Sequence, residues 1–228
     1  MNNFFFHFSV IMDDAKDIHT ALRKAAGIFQ MIQKDIVVPL IEHRLLASDL
    51  DLKILKAYFT QCTAEAQEVT VARAIELKHN NSLISSLAYE TSKLFDNAVR
   101  CLGGLDRMLT EQWLHYLNIK KFIYLAYVSE HKIVLGVMNV GIKIFFFNFQ
   151  AYCYCGKNLL EEDKCGEAIR ALRESQTNYK KALQLCKPYS TVKGPAKPVR
   201  PEGHIFFTKI DSTVRLILEK CERENGFM

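Results

Sequence analysis

The sequence predicts an all-α chain of long antiparallel helices stacked as a tetratricopeptide-like solenoid. Three observations lead there. Apolar residues recur at spacings of three and four over long stretches, the signature of helices with one buried face. No stretch outside two Phe-rich tracts alternates with period two, as a half-buried strand would. The breaks between periodic stretches are cap and turn residues, not the Asn-Gly or Gly-Gly pairs of a hairpin between alternating runs.

The elements follow in order. Asp13 and Asp14 can cap a first helix carrying Ile18, Leu22, Ala25, Ala26, Phe29 and Ile32 on one face, and Pro39 closes or kinks it. Ser48 with Asp51 three residues on resembles a capping box, opening a second helix with Leu55, Phe59, Cys62, Ala66, Val69 and Ile75. The polar run His79-Asn80-Asn81-Ser82 offers a turn and a new cap. A third helix then carries Leu83, Leu87, Thr91, Leu94, Phe95 and Ala98, ended by Gly103-Gly104. A fourth spans Thr110 to Tyr127 with Trp113, Tyr116, Leu117 and Tyr124 inward.

Ala151 to Leu160 reads as a further helix, and Glu161-Glu162-Asp163 suits a helix start, where carboxylates face the positive end of the dipole. That helix continues through Cys165, Ala168, Ile169, Leu172, Tyr179, Leu183 and Cys186. Its small residues, Gly156, Gly166 and Ala168, allow the close approach of a tetratricopeptide-like pair. A basic, Pro-rich loop, Lys187 to Pro201, connects to a last helix from about His204 with Phe207, Ile210, Val214, Ile217, Leu218 and Cys221 inward. Pro195, Pro198 and Pro201 favour polyproline II, and a spacer between long helices explains them better than a recognition ligand.

Composition bounds the function. The 228 residues are 49% apolar and 24% charged, which excludes collagen-like, low-complexity and wholly disordered readings. Thirty basic against 25 acidic side chains give +5, too mild for a nucleic-acid binder and compatible with acidic partners or anionic membrane surfaces. Seven thinly spread cysteines read as reduced core thiols of a cytoplasmic protein. The apolar stretch Ile133 to Phe149 is short for a membrane span and holds Lys143, whose burial in lipid is costly.

Enzyme signatures are missing. The sequence has no Gly-rich phosphate loop, no H-E-x-x-H and no nucleophile elbow, so no catalytic residue, cofactor or small-molecule substrate is assigned. Cys153, Cys155 and Cys165 lack the spacing and the histidine that a zinc site needs, so no metal is expected either.

Several blocks carry a resemblance. They are Ala66-Gln67-Glu68-Val69, Arg73-Ala74-Ile75-Glu76-Leu77-Lys78, Leu87-Ala88-Tyr89-Glu90 and Ala151-Tyr152-Cys153-Tyr154. Asp163-Lys164-Cys165-Gly166-Glu167-Ala168-Ile169-Arg170, Lys193-Gly194-Pro195 and Gly203-His204-Ile205-Phe206-Phe207 follow. Leu218-Glu219-Lys220-Cys221 and Arg223-Glu224-Asn225-Gly226-Phe227 complete the series. In this order and spacing they resemble the Bro-one (BRO) domain family, in its Brox branch. The resemblance implies a partial, banana-shaped BRO domain and a non-enzymatic adaptor of the endosomal sorting (ESCRT) pathway, cytoplasmic and peripheral on endosomal membranes. Its partner would be the C-terminal amphipathic helix of an ESCRT-III, charged multivesicular body, subunit, received in a groove. The groove's apolar pair and nearby basic residue fall on Leu83, Leu87 and Arg73, and the aromatic of some relatives is Thr70 here.

The chain also departs from the family. The match spans residues 13–228, so the N-terminal half of the family domain is missing, and no cysteine stands fourth from the end for prenylation. Residues 1–12 and 128–150 read as non-family segments. The family runs directly from Tyr127 to Ala151, whereas 23 residues intervene here. Val128-Ser129 can be encoded GTA-AGT, a splice donor, and Phe145 to Gln150 as a T-rich tract ending in CAG, a splice acceptor, so a retained intron is expected. The rivals to the adaptor are a truncated, non-functional copy of one, a membrane-anchored helical protein and a generic tetratricopeptide-like scaffold.

Overall fold

The computed structural model describes residues 12–37, 50–127, 165–191, 200–203 and 205–225. These hold six long helices and no strand among the described residues. The helices are α1 (Met12–Met31), α2 (Leu52–Glu76), α3 (Asn81–Cys101), α4 (Arg107–Tyr127), α5 (Cys165–Thr191) and α6 (Ile205–Asn225). A wider π-type turn, Ile32–Val37, prolongs α1, and a 3-10 turn, Pro201–Gly203, precedes α6.

Side-chain contacts fix the directions. Phe29 near the end of α1 stacks on Tyr58 near the start of α2, centroids 4.9 Å apart, so the two run antiparallel. A short turn reverses α2 into α3, and the Lys53 ammonium donates to the Gly103 carbonyl at 3.1 Å, tying the start of α2 to the end of α3. Ser175 of α5 donates to the Ala126 carbonyl of α4 at 2.9 Å, while Tyr189 meets Tyr116 at 6.4 Å, which makes α5 antiparallel to α4. Arg173–Glu222 and Tyr179–Phe207 do the same for α5 and α6.

The buried stripes follow the helical spacing read from the sequence except at the start of α3, where Ile84 and Ala88 are buried in place of the expected Leu83 and Leu87. Leu22 and Ala26 of α1 are buried, and Leu22 packs with Ala66 and Val69 of α2. Ala88, Phe95 and Ala98 of α3, Trp113, Leu117 and Tyr124 of α4, and Leu172, Cys186, Phe207, Val214 and Cys221 of the last two helices form one continuous core. Close helix approach in α2 comes from Ala57, Ala64, Val71 and Ala74, all buried.

The caps differ in detail. Asp51, not Ser48, closes the start of α2, its carboxylate accepting the Lys53 N–H at 2.7 Å. Ser48, Pro39 and the rest of 38–49 lie outside the described residues. Helix α1 begins at Met12, ahead of Asp13 and Asp14, which therefore occupy its first turn. Asn80 caps α3 as expected, accepting the Leu83 N–H at 2.7 Å. Gly104 takes a positive φ of 79° after α3, a conformation that disfavours a side chain. Asp106 accepts the Met108 N–H at 2.9 Å, so α4 starts at Arg107, earlier than Thr110.

The largest boundary difference is in α5, which runs through Pro188 to Thr191 where a loop was expected from Lys187. Proline removes one backbone donor and its ring crowds the carbonyl four residues back, a cost that falls here on the final turn. The packing of Tyr189 on Tyr116 and the Ser190 hydroxyl donating to the Lys187 carbonyl at 2.9 Å hold that turn. Residues 1–11, 128–164 and 192–199 lie outside the described residues, and with them the 128–150 segment, all of 1–12 except Met12, the Ile133–Phe149 stretch, the Ala151–Leu160 helix, Cys153 and Cys155. No described helix is long and apolar enough to cross a membrane.

Candidate functional site

The end of the α2–α3 hairpin carries the three residues of the expected groove. Arg73 stands in the last turn of α2, where its carbonyl accepts the Leu77 N–H at 2.9 Å. The turn Leu77–Asn80 follows, with Lys78 at φ 53°. Leu83 then occupies the first turn of α3, its N–H held by the Asn80 cap. Leu87 is one helical turn further on, so the two leucines share a face.

That face is not the core face. Ile84, Ala88, Thr91, Phe95 and Ala98 point inward and are buried. Leu83 is 42% exposed, and Leu87 is half-buried against the edge of the core. An apolar pair at helical spacing thus borders solvent beside a guanidinium-bearing turn, with Thr70 half-buried one turn before Arg73. The structure places Arg73, Leu83 and Leu87 at one end of one hairpin. Leu77, the C-cap of α2 and 52% exposed, joins them there. The sequence reading missed Leu77, whose only signal was a large apolar residue in an otherwise polar turn.

The charged residues behind this hairpin behave differently. Glu65 and Glu68 of α2 and Lys120 of α4 are buried. The Lys120 ammonium donates to both oxygens of Glu68, at 2.7 and 2.9 Å, and lies 5.7 Å from the Tyr116 ring centroid. Gln61 and Tyr116 both donate to Glu65 at 2.7 Å, and the Trp113 indole N–H donates to Gln61. These pairs step along α2 and α4 in the same direction, so the two helices run parallel and are joined by a ladder of polar side chains.

Burial pushes the Glu68 carboxyl above its ordinary range despite Lys120. Burial, then the charges of Glu65 and Glu68, push the Tyr116 phenol well above its own, which keeps it protonated and donating. Burial also drives the Cys62 thiol up to about 11 and Cys186 to about 12, so neither is a thiolate nucleophile at neutral pH. No group of His, Cys, Asp or Glu among the described residues is arranged to hold a metal ion. The ladder satisfies its own hydrogen bonds, which is what a structural seam requires.

Comparison with known proteins gives a consistent picture. The chain matches the BRO1-like domain family over residues 11–228. It is 43% identical over 220 residues to the BRO1 domain-containing protein BROX of Homo sapiens, covering 96% of this chain and 48% of that protein. The Xenopus tropicalis BROX is 42% identical over 216 residues, covering 95% of this chain and 47% of that protein. The chain thus spans about half the length of the curated relatives it matches. A solved structure described as the basis for endosomal targeting by the Bro1 domain superposes with a TM-score of 0.62 at 20% identity, covering 95% of this chain and 49% of that one. That likeness shows the fold.

Proposed function

The chain belongs to the BRO1-like domain family, and from that premise we propose that it is a non-enzymatic adaptor of the endosomal sorting pathway. Its partner in this reading is the C-terminal amphipathic helix of an ESCRT-III subunit, seated against Leu83 and Leu87 with Arg73 beside them. It works from the cytoplasm, peripheral on endosomal membranes. Residues 1–12 and 128–150 are, in the same reading, insertions foreign to the family domain.

One observation carries the assignment of the site: two leucines one turn apart remain at the surface of α3 while the neighbouring stripe is buried. A helix laid in a groove reads its anchors at this spacing, and its apolar face gains by leaving water there. The guanidinium can pair with a carboxylate of the incoming helix.

The test is titration of a labelled ESCRT-III C-terminal helix with the full chain and two variants. Leu87→Asp places a carboxylate in the apolar groove and weakens binding. Leu83→Asp, at a more exposed position, does so without disturbing the core. A folded Leu83→Asp protein that binds like wild type removes this face from consideration.

A further inference from the structure

The flank of α3 opposite Leu83 and Leu87 meets α4 through one carboxylate. Asp96 accepts from Arg100 of its own helix at 2.6 Å and from the Lys121 ammonium of α4 at 2.7 Å, one cation on each oxygen. The next residue of α4, Phe122, is half-buried. Two ammoniums stand over its ring, Lys121 at 5.3 Å from the centroid and Lys181 of α5 at 5.8 Å. Leu114 and Asn118 continue this strip along α4 at a spacing of four, both half-buried. The neighbouring helices rise on either side of it with exposed residues, Asn97 and Arg100 on α3, Thr177 and Lys180 on α5.

The charge on this strip does not balance. On α3, Glu90 and Lys93 pair with each other at 2.8 Å, and Asp96 alone faces both Arg100 and Lys121. On α5, the nearest acid along the same face is Glu174, two turns before Lys181 and matched in charge by the exposed Lys180. Glu111, toward the start of α4, is matched by Arg107. Lys181 is half-buried, and among the described residues no carboxylate lies within ion-pair distance of it. Two positive charges are left over, one shared by Arg100 and Lys121 and one on Lys181. A ring face stabilises a half-buried ammonium only in part, and a carboxylate supplied from outside completes it.

The same features select the occupant. A second copy would bring a like surplus to a two-fold contact and be repelled. A nucleic-acid base needs a bare ring to stack on, and here ammoniums stand over Phe122. A flat bilayer meets the exposed residues of α3 and α5 before it reaches a half-buried floor. A narrow peptide with carboxylates on either side of an apolar side chain fits the strip. We propose that the α4 strip between α3 and α5 is a docking site for an acidic segment of a partner protein, read by Lys121, Phe122 and Lys181. The site goes beyond the adaptor reading and uses the other flank of α3, so both surfaces can be occupied together.

The experiment is titration of the full chain into a labelled peptide repeating Glu-Glu-Phe, with a Gln-Gln-Phe repeat as the neutral control. The ESCRT-III helix is titrated in parallel, and melting temperatures check each fold. Wild type is expected to bind the acidic repeat, less tightly as salt is raised, and not the neutral one. Lys181→Glu is expected to weaken it by about tenfold or more, and Lys181→Arg to restore it. Phe122→Leu keeps apolar bulk, removes the ring and weakens binding by a smaller factor. Lys24→Glu makes the same charge change at an exposed position of α1 and stays within about twofold of wild type. Where the charge reversal at Lys181 fails to fold, Lys181→Gln keeps the stem and is expected to weaken binding in the same direction. No binding by wild type, or equal loss in Lys24→Glu, overturns the site. Lys181-dependent binding to phosphatidylserine vesicles or to a single-stranded oligonucleotide, without peptide binding, assigns the strip to that ligand and also overturns it. Every variant here is expected to keep its affinity for the ESCRT-III helix. Helix binding lost in folded Lys181→Glu overturns the separation of the two surfaces. Helix binding absent throughout, with Lys181-dependent peptide binding intact, refutes the adaptor groove and supports this site.

Discussion

The two sides of α2 make opposite use of their residues. Toward α4 it presents Gln61, Glu65 and Glu68, which are paired, hydrogen-bonded and hidden from water. Its other buried positions are mostly small and apolar, Ala57, Ala64, Val71 and Ala74, and the α2–α3 hairpin ends in leucines that remain partly in water. The usual expectation assigns charges to function and leucines to the core. Here the charged side is complete in itself and holds the helices in register, while the apolar side is unfinished at its end. An unfinished apolar surface is what a partner can complete; a satisfied ion pair offers it nothing.

The largest effect expected from breaking the comparison is on the polar side. Glu68→Ala leaves the Lys120 ammonium buried without its counter-charge, which should cost about 3–5 kcal/mol in urea unfolding. Replacing both partners, Glu68→Met with Lys120→Met, should be neutral or stabilising, because both desolvation costs vanish together. If the single and double changes destabilise equally, the ladder is not acting through its charges.

The next effect is on the apolar side and appears in binding. Leu83→Asp should weaken the partner helix by about 30-fold, the scale of an anchor residue worth about 2 kcal/mol. Its unfolding free energy should stay within about 0.5 kcal/mol of wild type, since the side chain is substantially exposed. A smaller change comes from Asn80→Ala, which removes the α3 cap and should cost about 1 kcal/mol in thermal melts, loosening the turn that presents Leu83.

The smallest effect is graded with pH. The folded Glu68 carboxyl sits above its ordinary value of 4.5 because it is buried. A group whose folded pKa is raised holds its proton more tightly when folded. Its stabilising contribution is therefore complete below the unfolded value and is lost as pH rises through the folded value. The stability of wild type relative to Glu68→Met/Lys120→Met should fall as pH rises above that range. A difference that is flat with pH contradicts burial as the dominant influence on Glu68.

Much of the architecture was legible because it depends on spacing. The stripes of α1, α4 and α6, the part of the α3 stripe from Thr91 to Ala98, the Asn80 cap and the Gly103-Gly104 stop all follow from local rules that tertiary contacts did not override. Helix α2 was read only in part. Its stripe through Leu55, Ala66 and Val69 was visible, but a second buried side made of glutamates looks like a solvated face in sequence. Only the arrival of Lys120, Tyr116 and Trp113 from a helix about 50 residues later reveals otherwise. The α5 boundary failed for a similar reason, since Tyr189 packing on Tyr116 outweighs a proline stop signal. For the site, family resemblance supplied Leu83, Leu87 and Arg73, and periodicity alone would have left both leucines in the core. Leu77 carries no sequence pattern, because exposure depends on which neighbours arrive.

The most direct measurement is the affinity of one ESCRT-III C-terminal helix for three folded proteins: wild type, Leu83→Asp and Glu68→Met/Lys120→Met. The account predicts that Leu83→Asp loses binding by more than about tenfold with an unchanged melting temperature, and that the ladder variant binds like wild type. Wild-type affinity in Leu83→Asp, with binding lost in the ladder variant, would place the function in the polar seam and contradict the account.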